Sequence, residues 1–136
     1  MLDQTNIDTL RAQTIPPQKH FIDGNWREAS DGGVHAVFSP IDGSKLTTIA
    51  SGTADDVNAA ASAAKKAFDD GRWSRMAPAG RKRILQRLAD LVEKNALELA
   101  VLGARDNGTE IGMAIKAEPG SAAQTIRFYA EAIDKV

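Results

Sequence analysis

The segment TADDVNAAASAAKKAFDDGRW, residues 53–73, opens the helical part of the chain and decides the fold class. Thr53 can accept a hydrogen bond from the free N–H groups of a first helical turn, and the acidic residues that follow suit the positive end of the helix dipole. Gly71 can adopt the left-handed conformation that ends a helix. The segment therefore predicts an amphipathic helix. Its apolar face consists of Val57, Ala60, Ala61, Ala64 and Phe68.

Three further helices are predicted after this one. Pro78 suits the first turn of the second helix, whose apolar face is predicted to be central to the core. This face consists of Ile84, Leu88, Leu91 and Val92. Asn95 with Glu98 resembles a capping box and predicts the start of the third helix, which Asn107–Gly108 ends. Pro119 is predicted to open the last helix. The apolar stripe of that helix consists of Ala122, Ile126, Tyr129, Ala130 and Ile133.

The first third of the chain carries the signals of short strands. A short helix near the amino terminus is predicted to end before Pro16–Pro17. Asp23–Gly24 lies between apolar residues, which is a strong signal for a tight hairpin. A second pair of strands is predicted on either side of the turn-rich residues 39–44. The sequence therefore predicts an α+β fold, in which short antiparallel strands are followed by about four helices.

The composition limits the classes of function. The 17 basic and 18 acidic residues give a net charge of −1, so neither nucleic acid nor an anionic membrane is an expected partner. We expect no secretion signal, and no run approaches the ~20 apolar residues needed to span a bilayer. The sequence has no cysteine, which excludes disulfides, thiolate metal sites and thiol catalysis within these 136 residues. We therefore expect a cytoplasmic protein.

Few residues are candidates for catalysis. His20 and His35 are the only histidines, and neither has a second histidine or a cysteine at metal-ligand spacing, so a structural role is expected. The pairs Asp55–Asp56 and Asp69–Asp70 could suggest acid–base chemistry, but adjacent residues on a helix point in different directions. We interpret both pairs as helix-terminal residues. The glycines form neither a dinucleotide-binding fingerprint nor a phosphate-binding loop. The residues alone therefore assign no reaction.

The charged residues of the predicted helices are interpreted as surface groups. The densest basic run could contact phosphate, but we predict that it forms a solvated helix face. It consists of Arg81, Lys82, Arg83 and Arg87. Asp90 with Lys94, and Glu131 with Lys135, are predicted to form ion pairs one helical turn apart.

Several short motifs, taken in order, resemble the amino-terminal portion of aldehyde dehydrogenases. They are FIDGNW at 21–26, FSPIDG at 38–43, the helix that ends in Phe68 and is followed by Trp73, residues 81–95, ELA at 98–100, DNG at 106–108 and IRFYA at 126–130. Each motif is short, and their order and spacing carry the resemblance. The family commonly has Lys-Pro after the Asn-Gly turn, where this chain has Thr109–Glu110. The tail over 130–136 is similar to members that act on aminoaldehydes or related small aldehydes.

The resemblance implies an α/β parent fold and the oxidation of an aldehyde to a carboxylic acid with NAD or NADP. In this family a cysteine thiolate attacks the carbonyl, hydride passes to the nicotinamide, and a glutamate activates the deacylating water. The resemblance also implies that these residues and the cofactor loop lie beyond Val136. This chain alone is therefore expected to contain no catalytic or cofactor-binding residues, to bind no cofactor and to be inactive.

The organisation and partners of the chain also follow from the resemblance. It implies an arm or short helix over 1–19, peripheral strands over 20–52, and a helical layer of an incomplete cofactor-binding domain over 53–136. It implies a monovalent cation site formed by the backbone carbonyls of Val37, Phe38 and Asp106, with a purely structural role for these positions as the alternative. The expected partners are a small aldehyde, the remainder of the enzyme and further copies in a homo-oligomer. A freestanding, non-catalytic binding or scaffold module that reuses this segment is the alternative function.

Overall fold

A computed structural model describes residues 3–135, which form two compact units. We call residues 14–38 and 43–75 the hairpin unit, and residues 3–13, 39–42 and 76–135 the helical unit. No helix within the described residues is both long enough and apolar enough to cross a bilayer. The elements in chain order are α1 (Gln4–Ala12), β1 (His20–Ile22), β2 (Asn25–Arg27), β3 (Val34–Phe38), β4 (Lys45–Ala50), α2 (Ala54–Asp69), α3 (Pro78–Lys94), α4 (Ala96–Asn107) and α5 (Ile111–Ala132).

The first hairpin of the hairpin unit is formed by β1 and β2. Ile22 lies opposite Asn25, which leaves Asp23–Gly24 as a two-residue turn. Both turn residues have positive φ, 52° and 77°, as a tight hairpin turn requires. Phe21 and Trp26 lie opposite each other, and their ring centroids are 4.9 Å apart. The hairpin predicted from Asp-Gly is confirmed.

The second hairpin is formed by β3 and β4, which pair in an antiparallel manner. Its register shifts between Val37 and Phe38, the kind of irregularity that bends a strand locally. Gln18 extends the pairing: its N–H donates to the carbonyl of Thr48 at 2.8 Å, and its carbonyl accepts from the N–H of Ala50 at 2.9 Å. The second predicted strand pair is therefore confirmed.

α2 of the hairpin unit begins and ends as predicted. The Thr53 hydroxyl accepts from the backbone N–H of Asp56, and the Asp56 carboxylate accepts from the backbone N–H of Thr53, which completes a capping box. Gly71, with φ of 79°, follows the end of the helix. The predicted apolar face remains largely uncovered, since Val57 is 63% exposed and Phe68 is 67% exposed.

The helical unit is organised around α5, which packs against α3 and α4. Alanine dominates these contacts, and its small side chain lets helix backbones approach closely. The alanines with no exposed surface are Ala89, Ala100, Ala114, Ala123 and Ala130. α1 packs against α4 and buries Ile7.

The predicted core face of α3 is only partly covered. Ile84, Leu88 and Leu91 remain 47%, 46% and 44% exposed, whereas Ala89 is completely buried. The prediction that these large residues form the centre of the core is wrong. The hydrophobic period locates a stripe on α3 but cannot say which neighbour covers it. The side chains of α3 that bind α5 are Lys82, Gln86, Asp90 and Glu93, which belong to the face next to the predicted one.

Arg127 joins α5 to α3 through two carboxylates. Its guanidinium donates to Asp90 at 2.9 Å and to Glu93 at 2.6 Å. The predicted pair of Asp90 with Lys94 is wrong, because the carboxylate turns to a partner on the neighbouring helix. The two terminal nitrogens of the guanidinium each donate to a different carboxylate, so one side chain of α5 joins both acidic residues of α3.

Glu131 forms a second connection between α5 and α3. It accepts hydrogen bonds from Lys82 at 2.5 Å and from Gln86 at 3.0 Å. Lys135 pairs with Asp134 at 2.8 Å and donates to the backbone carbonyl of Glu131, so the predicted side-chain pair of Glu131 with Lys135 is wrong.

The basic run on α3 divides into two groups. Arg83 and Arg87 are exposed, as predicted. Lys82 forms an ion pair with Glu131 of α5. Arg81 is partly buried, and its Nε atom is buried without a hydrogen-bond partner within residues 3–135. The prediction of one solvated basic face is therefore wrong for Arg81 and Lys82.

The junction of α3 and α4 differs from its prediction. α3 begins at Pro78 as expected, but Asn95 makes no side-chain cap for α4. Its Nδ2 atom donates instead to the carbonyl of Leu91 at 2.7 Å. The predicted capping box of Asn95 with Glu98 is wrong because one residue separates the two helices, and its side chain completes the earlier helix.

α5 begins at Ile111 rather than at Pro119. The Glu110 carboxylate caps the helix by accepting from the backbone N–H groups of Gly112 at 2.8 Å and Met113 at 3.0 Å. Pro119 is buried inside the helix, where its missing N–H removes one backbone hydrogen bond. The preference of proline for first turns misled the prediction. Buried alanines on both sides of the proline stabilise the continuous helix.

Candidate functional site

The residues predicted to bind a monovalent cation belong to different units. Val37 and Phe38 lie at the register shift of β3, in the hairpin unit, and Asp106 lies in the last turn of α4, in the helical unit. Within residues 3–135 no group of three His, Cys, Asp or Glu side chains could hold a metal ion. A site made of backbone carbonyls has no such side-chain signature, so the cation site stays a prediction.

Polar groups of the hairpin unit gather around Asp56. Its buried carboxylate accepts from the backbone N–H groups of Thr53 at 3.0 Å and Ser30 at 3.2 Å. It also accepts from the Thr53 hydroxyl at 2.9 Å and from the Ser30 hydroxyl at 3.3 Å. These donors, chiefly the Thr53 N–H, lower the pKa of Asp56 from 3.8 to about 2. The ionised carboxylate therefore holds the loop at Ser30 against the start of α2.

His20 faces the same carboxylate. Its Nε2 atom lies 3.9 Å from Oδ2 of Asp56, is buried, and has no hydrogen-bond partner among the residues described. The hydroxyl of Ser30 contacts the Thr53 hydroxyl at 2.6 Å and the Asp56 carboxylate at 3.3 Å rather than the imidazole, so Ser30 and His20 do not form a nucleophile–base pair. The other histidine, His35, contacts the Ser51 hydroxyl at 2.8 Å. The arrangement around Asp56 is a helix cap rather than a catalytic constellation.

The helical unit contains a cavity of about 390 Å³. Its walls come from α1, Ile41, α4, the loop 108–110 and Ile111 at the start of α5. Two arginines, Arg11 and Arg105, line it together with Asp8 and Glu110. The larger apolar side chains in its wall are Ile7, Ile41, Val101 and Ile111.

The charged side chains of the cavity differ in their hydrogen-bond and ion-pair partners. One terminal nitrogen of Arg105 donates to the carbonyl of Gln13 at 2.9 Å, which ties the end of α1 to α4. Asp8 accepts a bond within α1, and Glu110 caps α5. No ion pair to Arg11 or Arg105 occurs among residues 3–135. Two guanidinium groups therefore reach the cavity without a carboxylate partner.

Sequence reasoning missed this cavity, because its walls come from segments far apart in the chain. Arg105 and Gln13 are separated by 92 positions, and no local pattern links them. Glu110 did carry a readable signal, since an acidic residue directly before a helix suits the free N–H groups of the first turn. No sequence signal pointed to Ser30, because its partner Asp56 lies 26 positions further along the chain.

Comparison with known proteins identifies relatives of the whole chain. A family model described as the aldehyde dehydrogenase family matches residues 26–136. The chain is 42% identical over 136 residues to aminoacetaldehyde dehydrogenase from Pseudomonas aeruginosa, and it is 41% identical over 116 residues to an NADP/NAD-dependent aldehyde dehydrogenase from Escherichia coli. The matches cover 100% and 85% of this chain but only 27% and 23% of those proteins. The chain thus spans about a quarter of their length.

Solved structures give the same result. The chain superposes on the aldehyde dehydrogenase KauB from Pseudomonas aeruginosa with a TM-score of 0.94 and 37% identity, over 100% of this chain and 28% of the other. A mutant of the P. syringae indole-3-acetaldehyde dehydrogenase AldA, in complex with NAD+ and IAA, also gives a TM-score of 0.94, with 35% identity and the same coverage.

These findings bear on the predicted fold class and family. The structure has two short antiparallel sheets, and four helices follow the strands within residues 3–135, so the predicted α+β fold is confirmed. The family model covers most of the chain, and the resemblance to the amino-terminal portion of these enzymes is confirmed. The chain belongs to the aldehyde dehydrogenase family.

Proposed function

We propose that this chain forms the amino-terminal part of an NAD- or NADP-dependent enzyme that oxidises an aldehyde to a carboxylic acid. The observation that carries the proposal is the 42% identity to aminoacetaldehyde dehydrogenase along all 136 residues. A match that includes the hairpins, the helix caps and the helical unit together is far more specific than any of the short motifs alone.

The chain contributes structure to this reaction rather than reacting groups. It contains no cysteine, so it cannot supply the thiolate that attacks the aldehyde. It contains no glycine-rich phosphate loop, so these residues alone do not fit a dinucleotide. NAD or NADP, when bound to the parent enzyme, accepts the hydride. We infer that the chain alone binds neither cofactor and is inactive.

The exposed apolar surface of this chain supports the proposal that the chain is part of a larger protein. In the helical unit, Phe128 and Tyr129 are 69% and 62% exposed, and the large residues of the α3 face are nearly half exposed. In the hairpin unit, Val57 and Phe68 are exposed. Faces of this kind usually bind another protein surface. We infer that residues 53–136 form a helical layer of the cofactor-binding domain, residues 20–52 its peripheral strands, and residues 1–19 an arm.

The proposal also covers the substrate class, the oligomeric state, the compartment and the cation of the parent enzyme. The name of the 42% identical relative points to a small aminoaldehyde. We expect a homo-oligomer in the cytoplasm, with the remainder of the enzyme as the immediate partner of this chain. We also expect the carbonyls of Val37, Phe38 and Asp106 to bind a monovalent cation in the parent enzyme.

The reading frame that encodes this chain provides the test. We expect it to continue into a segment that carries a cysteine and a glycine-rich loop, and its product to form NADH or NADPH from small aminoaldehydes. Replacement of that cysteine by alanine is the matched control and should abolish the reaction. A stop codon directly after Val136, or a full product without aldehyde oxidation, would contradict the proposal.

The absence of cysteine from these 136 residues favours a second candidate, a freestanding binding or scaffold module. Such a module would need no cofactor and would use its exposed apolar faces to bind another protein. The same reading-frame experiment separates the two candidates, because only the first requires a longer product.

A further inference from the structure

We propose that the cavity of the helical unit binds a monocarboxylate with an apolar chain, through the guanidinium groups of Arg11 and Arg105. The site lies within one compact unit and does not depend on the proposed oxidation. Its volume of about 390 Å³ falls within the ~300–1,000 Å³ of small-molecule sites.

The apolar part of the cavity suits an alkyl chain. Ile7 and Val101 provide a buried floor, with 6% and 3% of their surface exposed. Ile41 stands at the wall with 61% of its surface exposed. An alkyl chain between these side chains would remove the exposed surface of Ile41 from water, which favours binding.

The charged part of the cavity suits a carboxylate. Arg11 and Arg105 form no ion pair within residues 3–135, and the second terminal nitrogen of Arg105 has no recorded acceptor there, since the first donates to Gln13. A guanidinium presents a planar fork of N–H donors that matches the two oxygens of a carboxylate. A neutral alcohol of the same length would lack both the charge and the second acceptor.

The acidic groups of the cavity restrict the ligand to one negative charge. Asp8 and Glu110 balance Arg11 and Arg105, so these four side chains of the wall together carry no net charge. Both carboxylates are engaged, Asp8 with Gln4 at 2.9 Å and Glu110 with the N–H groups of α5, and therefore stay in place. A dicarboxylate or a phosphate ester would add repulsion from them that a monocarboxylate largely avoids.

The test titrates the full chain with sodium hexanoate and follows the methyl signals of Ile7 and Ile41 by NMR. We expect saturable shifts of these two signals, and no comparable shifts with 1-hexanol or with adipate at the same concentrations. Arg11→Gln should weaken binding by roughly twofold to fivefold, since Arg11 is exposed and its charge is partly screened. The double variant with Arg105→Gln should abolish saturation.

Arg83→Gln is the matched control, because Arg83 is an exposed arginine on α3 outside the cavity. It should bind hexanoate like the unmodified chain. Equal shifts with 1-hexanol would mean apolar adsorption only and would overturn the proposal. Unchanged affinity in Arg11→Gln and in the double variant, or shifts that never saturate, would overturn it as well.

Discussion

Asp56 joins a loop and a helix start through one carboxylate, which a histidine of a strand faces. Ser30 and Thr53 each donate from their backbone and side chain, and the His20 imidazole lies 3.9 Å away. Hydrogen bonds to an ionised carboxylate favour its charged form, which is why its pKa falls to about 2. A single side chain therefore couples the fold of the hairpin unit to pH.

Acid should destabilise the hairpin unit through Asp56. Because the folded-state pKa of about 2 lies below the ordinary 3.8, this contribution is complete above about pH 4 and is lost as the pH falls through about 2. Asp56→Asn should remove that part of the pH dependence and lower stability at neutral pH. Both tryptophans, Trp26 and Trp73, lie in the hairpin unit, so denaturant titrations followed by tryptophan fluorescence at several pH values report on it.

Asp55→Asn is the control for this experiment. Asp55 lies beside Asp56 but is exposed and forms none of the hydrogen bonds of the cap. Its substitution should leave the acid dependence of the tryptophan signal close to that of the unmodified chain. An unchanged acid dependence in Asp56→Asn would show that the carboxylate does not hold the cap in solution.

At the scale of elements, local chemistry determined which boundaries could be predicted. Thr53, Gly71 and Asp23–Gly24 act through their own backbone or the next three residues, and the sequence predicted each of them correctly. Pro119 was misread because burial on both sides of it overrides a local preference. The partners of Arg127 and the cavity between α1 and α4 depend on contacts distant in sequence, so no local pattern could reveal them.

The cap of α5 should depend on Glu110. Glu110→Ala removes the acceptor for the N–H groups of Gly112 and Met113 and should destabilise the helical unit by about 1 kcal/mol. Hydrogen exchange should increase first at those two amides. Lys116→Ala, an exposed position on the same helix, should change stability by less than about 0.5 kcal/mol. Equal amide protection in Glu110→Ala and the unmodified chain would contradict the cap.

Ala89 and Leu88 are neighbours on α3, but a change of side-chain size should affect stability differently at the two positions. Ala89 is completely buried, so Ala89→Leu should overpack the contact with α5 and destabilise by about 1–3 kcal/mol. Leu88→Ala should cost less than the ~2–5 kcal/mol typical of a buried leucine, because Leu88 is 46% exposed. Urea denaturation of both variants gives the comparison. A larger loss for Leu88→Ala than for Ala89→Leu would mean that the packing face of α3 is wrongly assigned.

At the scale of the whole molecule, the main feature is apolar surface that no other part of the described structure covers. Phe128 and Tyr129 contact each other edge to face, with centroids 5.4 Å apart, yet both remain more than half exposed. The chain spans about a quarter of the length of its relatives from Pseudomonas aeruginosa and Escherichia coli. We expect these aromatic rings to be covered in the parent enzyme.

The chain by itself should therefore either self-associate through its last helix or leave that helix mobile. Sedimentation velocity should show a concentration-dependent increase in mass for the unmodified chain, and less of it after Phe128→Ser with Tyr129→Ser. Arg83→Ser, another exposed substitution in the helical unit, should not change the association. A strictly monomeric chain with strong amide protection from Phe128 to Ile133 would contradict this expectation and would favour a domain that is complete in itself.

The formation of NADH from a small aminoaldehyde tests the central claim most directly. The measurement compares the 136-residue chain with the product of the full reading frame, at equal protein concentration and with NAD+ in excess. We expect NADH from the full product and none from the chain, because the chain supplies structure but no thiol. NADH formation by the purified chain above a protein-free control would contradict it.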